Sequence, residues 1–459
     1  MKNDFLHGPI AKPLFTFAMP IAFTIIFEQL VNTTDVLILG QFVGKSAMAA
    51  VGNDGPVLSL LISLLVGLSL GVNVVIAQYL GGKKYEEARL AEHTGILFSF
   101  FLGVAFLILG EALTAPILQL LAVPPEVLNE AETYLRIFFL ALPFVSAYNF
   151  EAAIFRASGD GKTPLYSLIA ASIVNAVLDL VAVTIGLGLT GVVFATILAY
   201  VVDAGVLFFL LVRRKDYLHL QLQYLHLQKD ELKTIVRIGL PAGIQGMVFS
   251  ISNLVIQSAI NSLGPEVMAA SSAAFTVEIN IYAFINAFGQ ATTTFVGQNF
   301  GAFQIRRCFA VAKKAVEVEV SFALLLGLVC CFLARPLMGL FTTDPEVIDQ
   351  GIIRIYLVTG FQFVNGITEV LSGALRGYGY SLPPALTVLV SICGTRLIWI
   401  FTIFTAFPTF TIIMVSYPVS WMITSTLLAI VYRSQRKHII RSYADRLHDE
   451  LAAEGKVPR

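Results

Sequence analysis

Two aspartates pose the first chemical question. Asp35 and Asp179 each sit inside an apolar stretch, 13–38 and 164–185, where an ionisable side chain is costly and a functional candidate by default. Asn32 and Asp35 are three residues apart and Asn175 and Asp179 four, so each pair shares one helical face. Glu28 lies two turns before Asp35 on a similar face, and Asp203 falls inside a further apolar stretch, 189–212. Thr196 stands a short way into that stretch, at a depth comparable to both aspartates. Two carboxylates, an amide oxygen and a hydroxyl at one level form a ligand set for a hard cation such as Na+. A close carboxylate pair can instead hold a proton. The competing reading is a structural hydrogen-bond network between helices.

The second half of the chain offers a different set. Glu278, Glu369 and Arg396 lie in the apolar stretches 270–297, 350–375 and 384–405. Arg396 is expected at about the depth of Glu278, so a buried Glu278–Arg396 pair is one expectation. The other is that Glu278 or Glu369 binds a cationic substrate or a second coupling ion. Tyr148, Phe275, Tyr282 and Phe288 are candidates to stack on a planar cation. Arg156 and Arg376 close their stretches where a basic residue suits the terminal carbonyls of a helix. Pro20, inside the first stretch, removes a backbone bond and marks either a hinge or a static kink.

The elements that position these residues are membrane spans. The chain has 459 residues, 57% hydrophobic and 13% charged, with a mean hydropathy of +0.80; a soluble domain carries about 25% charged residues. A span needs roughly 20 apolar residues. Twelve stretches qualify: 13–38, 53–80, 92–115, 131–155, 164–185, 189–212, 234–261, 270–297, 312–334, 350–375, 384–405 and 410–432. An all-α membrane protein follows. The formal net charge of zero argues against nucleic acid as a partner. The four cysteines, Cys308, Cys330, Cys331 and Cys393, show no CxxC or metal-type spacing and read as small core residues. The first apolar run is too long for the h-region of a cleavable signal.

Basic residues orient the spans. With the N-terminus inside, 25 of the 30 lysines and arginines face the cytoplasm, Lys2 and the seven from Arg433 onward among them. The outer side keeps Lys45, Arg136, Arg335 and Arg354. This asymmetry places both termini in the cytoplasm. The longest polar stretch, 213–233, divides two similar halves. Ala77-Gln78-Tyr-Leu-Gly81 matches Gly297-Gln298-Asn-Phe-Gly301, Phe155-Arg156-Ala-Ser-Gly159 matches Leu375-Arg376-Gly-Tyr-Gly379, and Met48-Ala-Ala matches Met268-Ala-Ala, each 220 residues apart. Pro20 and Pro241 are 221 apart. Six spans per repeat is an even number, so the halves share one orientation about a pseudo-twofold axis along the membrane normal. The expected organisation is a first lobe over 1–212, a cytoplasmic linker over 213–233, a second lobe over 234–432 and a cytoplasmic tail over 433–459, read as a surface-lying helix.

Two similar bundles around such an axis suit alternating access. No Walker-type glycine loop and no filter-like repeat occurs, which leaves an ion gradient as the energy source. The chain resembles the multidrug and toxic compound extrusion (MATE) family over nearly its whole length. The resemblance rests on Pro20 with Asn32-Thr-Thr-Asp35 and Gly40-Gln-Phe-Val-Gly44, on Ala77-Gln78-Tyr-Leu-Gly81 and Arg156-Ala-Ser-Gly159-Asp-Gly-Lys-Thr-Pro164. In the second half it rests on Gly297-Gln298-Asn299-Phe-Gly301-Ala302 and Leu375-Arg376-Gly377-Tyr378. It implies twelve transmembrane helices in a V-shaped pair of six-helix bundles, an N-lobe and a C-lobe. It also implies export of mostly cationic, amphipathic compounds against inward H+ or Na+. Asp35, Asn175, Asp179 and Thr196 match the N-lobe cation site of one bacterial and archaeal branch, and Pro20 matches the proline at which that branch bends its first span. The sodium-coupled branch carries acidic residues in spans 7 and 10, where this chain has residues near Phe249 and Asn365. That departure weakens a C-lobe sodium site of the same type.

The function expected is therefore a multi-pass antiporter of the cell's inner membrane, acting as a monomer on small cationic compounds, with H+ or Na+ as coupling ion and no cofactor. A lipid-linked saccharide flippase of the same broad superfamily is the alternative; it favours a cationic cleft and often extra spans. No HExxH, paired-Asp or Ser/His arrangement at membrane depth supports an enzyme.

Overall fold

The computed structural model describes residues 5–121 and 123–453, with the side chains at 45, 53, 120, 442 and 446–453 outside the described set. Of the residues used above, Lys2, the side chains of Lys45 and Arg446, and the tail end 454–459 lie outside it. Among the described residues sixteen α-helices follow one another and no strand occurs. They are α1 (Ala11–Ile38), α2 (Lys45–Gly81), α3 (Tyr85–Leu120), α4 (Leu128–Phe139), α5 (Leu142–Ala157), α6 (Lys162–Thr184), α7 (Gly188–Arg213) and α8 (Lys229–Asn261). The rest are α9 (Pro265–Gly301), α10 (Ile305–Phe332), α11 (Ala334–Gly339), α12 (Pro345–Leu357), α13 (Gln362–Gly377), α14 (Leu382–Val388), α15 (Gly394–Trp399) and α16 (Phe410–Ala453). Among the described residues eleven helical segments are long and apolar enough to cross a membrane, or twelve if α4 and α5 are one broken span.

The spans depart from straight α-helix where the sequence has a local cause. α4 and α5 meet at a 47° bend; Pro143 at the start of α5 has no N–H to continue the α4 ladder. A π turn, Leu39–Val43, extends α1, and Gly44 (φ 129°) alone separates it from α2. The residues from 45 to 52, expected outside the spans, are therefore helical. A 3₁₀ turn, Thr359–Phe361, joins α12 to α13. Span 11 is interrupted twice, by π turns at Leu389–Cys393 and Ile400–Phe404 on either side of α15. α16 runs unbroken to Ala453, so the polar tail prolongs the last span instead of forming a separate surface helix. No Gly or Pro occurs between residues 419 and 453 to stop it.

The chain forms two compact units. One comprises Met1–Ala22, Ala77–Lys83 and Val248–Arg459; the other comprises Phe23–Ile76 and Lys84–Met247. α1 is thus divided just after Pro20. In the first unit the segment before α1 is anchored: Asn299 Nδ2 donates to the Phe5 carbonyl (3.0 Å), and Arg307 donates to the carbonyls of Phe5, His7 and Gly8. The Phe5 ring stacks on Phe295 with centroids 3.8 Å apart. In the second unit α2 and α8 touch backbone to backbone. A Cβ at Gly67 would stand 2.1 Å from the Gly243 nitrogen, and one at Gly71 would stand 2.2 Å from the Ile235 oxygen. The 213–233 segment is held to α3 as well: the Gln221 N–H donates to His93 Nε2 and the Gln228 N–H to Thr94 Oγ1, both at 3.2 Å.

Candidate cation site and the second-half charge cluster

α1, α5, α6 and α7 of the second unit converge on a small polar interior. The Thr196 hydroxyl donates to Asp35 Oδ2 at 3.1 Å. Asp179, 0% exposed, lies within electrostatic reach of Asp35, and Asn175 is 1% exposed one turn before it on α6. Asp35 Oδ1, both Asp179 carboxylate oxygens and the Asn175 amide nitrogen are buried without a hydrogen-bond partner. Carboxylate oxygens withdrawn from water normally find donors. Three carboxylate oxygens unclaimed on two aspartates, with the Asn175 amide and the Thr196 hydroxyl beside them, fit a cation ligand set, whether the ion is a proton or an oxygen-seeking metal ion.

A cavity beside the two aspartates, lined by neither of them, is bounded by Asn175, Thr196, Glu28, Asn32, Tyr148, Tyr200 and Asp203. Its volume open to water is about 40 Å³, room for a bare ion or a few waters. The Tyr148 hydroxyl donates to Glu28 Oε1 (3.2 Å), and Arg156 at the end of α5 is within electrostatic reach of Glu28. Asp203, 1% exposed, accepts the Ser167 hydroxyl at 2.5 Å through Oδ1 and leaves Oδ2 without a partner. Asn32 is exposed at the cavity rim. Pro20 is buried within a continuous α1.

A model of the MatE family matches the chain twice, over residues 20–181 and again over 241–402. This chain belongs to the MatE family. The second match begins 221 residues after the first, the spacing of the two prolines. Among curated proteins it is similar to the probable multidrug resistance protein YoeA of Bacillus subtilis, 27% identical over 84% of this chain and 85% of the relative. It is also similar to the probable multidrug resistance protein NorM of Thermotoga maritima, 27% identical over 84% of each, and to the FAD transporter of Shewanella oneidensis, 24% identical over 85% and 87%. Among solved structures, the outward-facing conformation of a multidrug resistance MATE family transporter aligns with a TM-score of 0.87 at 21% identity, covering 96% of this chain and 99% of that one. A MOP superfamily transporter from Pyrococcus furiosus, described as having a binding pocket of reverse polarity, aligns with a TM-score of 0.87 at 21% identity over 95% and 98%. MatE proteins are transporters and not enzymes, and this chain is an integral, multi-pass member.

In the second half of this MatE chain the expected Glu278–Arg396 pair does not form. Glu278 is taken by Arg354: Nε–H donates to Glu278 Oε2 at 2.8 Å, and Nη1–H donates to Ser271 Oγ at 2.6 Å. Arg354, placed above on the outer side of the membrane, is only 4% exposed within the protein. Counting along straight α-helices does not reveal this pairing, because a 3₁₀ turn follows α12 and π turns flank α15. Arg396 donates instead to Ser420 Oγ (3.1 Å) and Asn253 Oδ1 (3.4 Å), with Phe249 over its guanidinium. Glu369 accepts the Tyr282 hydroxyl at 3.5 Å, and Asn365 Nδ2 donates to Gln362 Oε1 at 3.1 Å. Of the aromatic candidates, Phe288 is sealed in the core against Phe15 and Phe322, and the Phe275 ring faces Arg354.

Four carboxylates of 2% exposure or less were missed, two of them, Asp54 and Glu92, at the edge of an apolar stretch. Glu151 on α5 is 2% exposed with Oε2 unpartnered; Glu319 on α10 is 0% exposed with both oxygens unpartnered. Their signal was available, since each is an ionisable residue inside an apolar stretch, 131–155 and 312–334. Asp54, 0% exposed with neither oxygen partnered, was masked by its place at the edge of the 53–80 stretch.

Proposed function

We propose that this MatE protein is a secondary active exporter of cationic amphipathic compounds, driven by H+ or Na+ entering at Asp35, Asp179, Asn175 and Thr196. It works as a monomer in the cell membrane with both termini in the cytoplasm. The observation that carries the reading is the set of unclaimed buried oxygens that α1 and α6 bring together beside the Thr196 hydroxyl. Uptake of one cation there halves the charge of two ionised, uncompensated carboxylates, and each charge moved down the membrane potential supplies about 2.3 kcal/mol per 100 mV. The relatives described as multidrug resistance proteins support small-molecule substrates.

The test is efflux from proteoliposomes under a pH gradient alone and then a sodium gradient alone. One of the two should drive export, and Asp35→Asn and Asp179→Asn should each abolish it while the purified protein stays folded. Full gradient-driven transport by both variants would remove the site from the coupling mechanism.

A further inference from the structure

The second half holds a guanidinium with no carboxylate of its own. Arg396 is 1% exposed. Its Nε and Nη1 groups donate to neutral oxygens on Ser420 and Asn253, and its Nη2 is buried without a partner. The neighbouring carboxylate, Glu278, is bound to Arg354. The three charged groups Arg354, Arg396 and Glu278 therefore leave one positive charge uncompensated. Trp421, 2% exposed, has its ring centroid 5.8 Å from the Arg396 guanidinium carbon, and its indole N–H is also buried without an acceptor. The faces of Tyr417 (4.1 Å) and Phe249 (5.6 Å) stabilise the cation, yet they offer no acceptor in line with Nη2. Two buried donors and one spare positive charge in the same place call for an acceptor-only group.

The backbone gives an independent indication. Arg396 is carried by the six-residue α15, flanked on both sides by π turns. Such turns recur at functional sites because they re-aim side chains at the cost of regular hydrogen bonding. The third π turn among the described residues, Leu39–Val43, lies one turn beyond Asp35. Asn253, which accepts from Nη1 across a long bond, is exposed, so a neutral side chain stands between the guanidinium and the protein's exterior.

We propose that Arg396 and Trp421 receive an anionic oxygen group, a carboxylate or phosphate, carried by the transported compound. Substrates of this protein then include zwitterionic amphiphiles, and monocations are not its whole range. The transport arm of the test rests on the exporter reading; the binding arm does not.

The chain has two tryptophans. Trp399 donates to the Ile412 carbonyl, and in full-length Trp399→Phe protein Trp421 alone reports on the site. Energy transfer from Trp421 to Nα-dansyl-lysine and to its methyl ester, which differ in one carboxylate, measures each affinity; equilibrium dialysis on the unsubstituted protein gives the same comparison. The acid should bind about tenfold tighter or better. Arg396→Gln should bring the acid down to the level of the ester, which itself stays unchanged, and Arg396→Lys should fall between. Equal binding of acid and ester, no binding of the acid, or a parallel loss of both in Arg396→Gln overturns the proposal. So does inorganic phosphate or chloride displacing the acid at equal concentration, which would mark a simple ion site. The acid–ester comparison needs no Arg396 variant, so misfolding cannot obscure it. In proteoliposomes Asp35→Asn should stop transport of both probes, whereas Arg396→Gln should remove only the preference. Transport surviving Asp35→Asn would sink the coupling reading and leave the binding result standing.

Discussion

Gly81 and Gln298 meet backbone to backbone: a Cβ at residue 81 would lie 1.9 Å from the Gln298 carbonyl oxygen. The contact is reciprocal, since a Cβ at Gly301 would lie 1.8 Å from the Gln78 carbonyl oxygen. These are the residues whose 220-residue spacing reveals the internal repeat. α2 and α9 cross here through the same chemistry on each side.

Gly81→Ala and Gly301→Ala should therefore force the two helices apart. Overpacking of this kind costs about 1–3 kcal/mol or more, and the atoms in the way belong to the backbone, which cannot rotate aside. A clear fall in the thermal midpoint of the purified protein is the expected outcome. Gly205→Ala, where a Cβ meets nothing within 4 Å, should be neutral or slightly stabilising.

Thr196 is the one donor to the Asp35 carboxylate seen in the site. Thr196→Val keeps the shape and deletes the hydroxyl: H+ should bind more tightly, because a donor to the ionised carboxylate is lost, whereas Na+ should lose an oxygen ligand and about tenfold of its affinity. Thr196→Ser should change neither by much. Both are read from the ion-concentration dependence of efflux.

Breaking the Arg354–Glu278 pair leaves a buried charge alone. Arg354→Met should cost about 3–5 kcal/mol, and the double variant Arg354→Met with Glu278→Gln should recover much of that loss. Thermal unfolding in detergent checks it; equal loss in single and double variants would mean that the pair is not coupled.

Glu319 depends on a missing side chain. A Cβ at Gly366 would stand 1.6 Å from Glu319 Oε1, so α13 makes room for the carboxylate by having glycine there. Gly366→Ala should cost less than Gly81→Ala or Gly301→Ala, because the carboxylate ends a flexible side chain that can swing aside, and Glu319→Ala in the same chain should remove that cost. Additive losses, measured as folded yield and thermal midpoint, would show that the clash is not the cause.

Much of the architecture was legible because lipid imposes it. Apolar runs of span length, basic residues between them and a constant repeat spacing do not depend on tertiary detail. The convergence of Asp35 with Asp179 was also readable in outline, since i, i+3 and i, i+4 spacings fix which face each occupies. The partner of Glu278 was not. Arg354 and Arg396 both lie near Glu278, and the choice between them depends on local geometry around the 3₁₀ break after α12 and the π turns beside α15, which hydropathy does not register. The Tyr148–Glu28 bond joins residues 120 positions apart, a contact that helical spacing cannot reach.

The interruptions in span 11 also bear on ancestry. A π turn accommodates one residue more than an α turn, so each insertion rotates everything beyond it by roughly 100°. A relative whose span 11 is unbroken would reach the same loops with fewer residues. A gap placed at the wrong turn would then align Arg396 with a position pointing into hydrocarbon, and the site would look lost in a protein that had kept it.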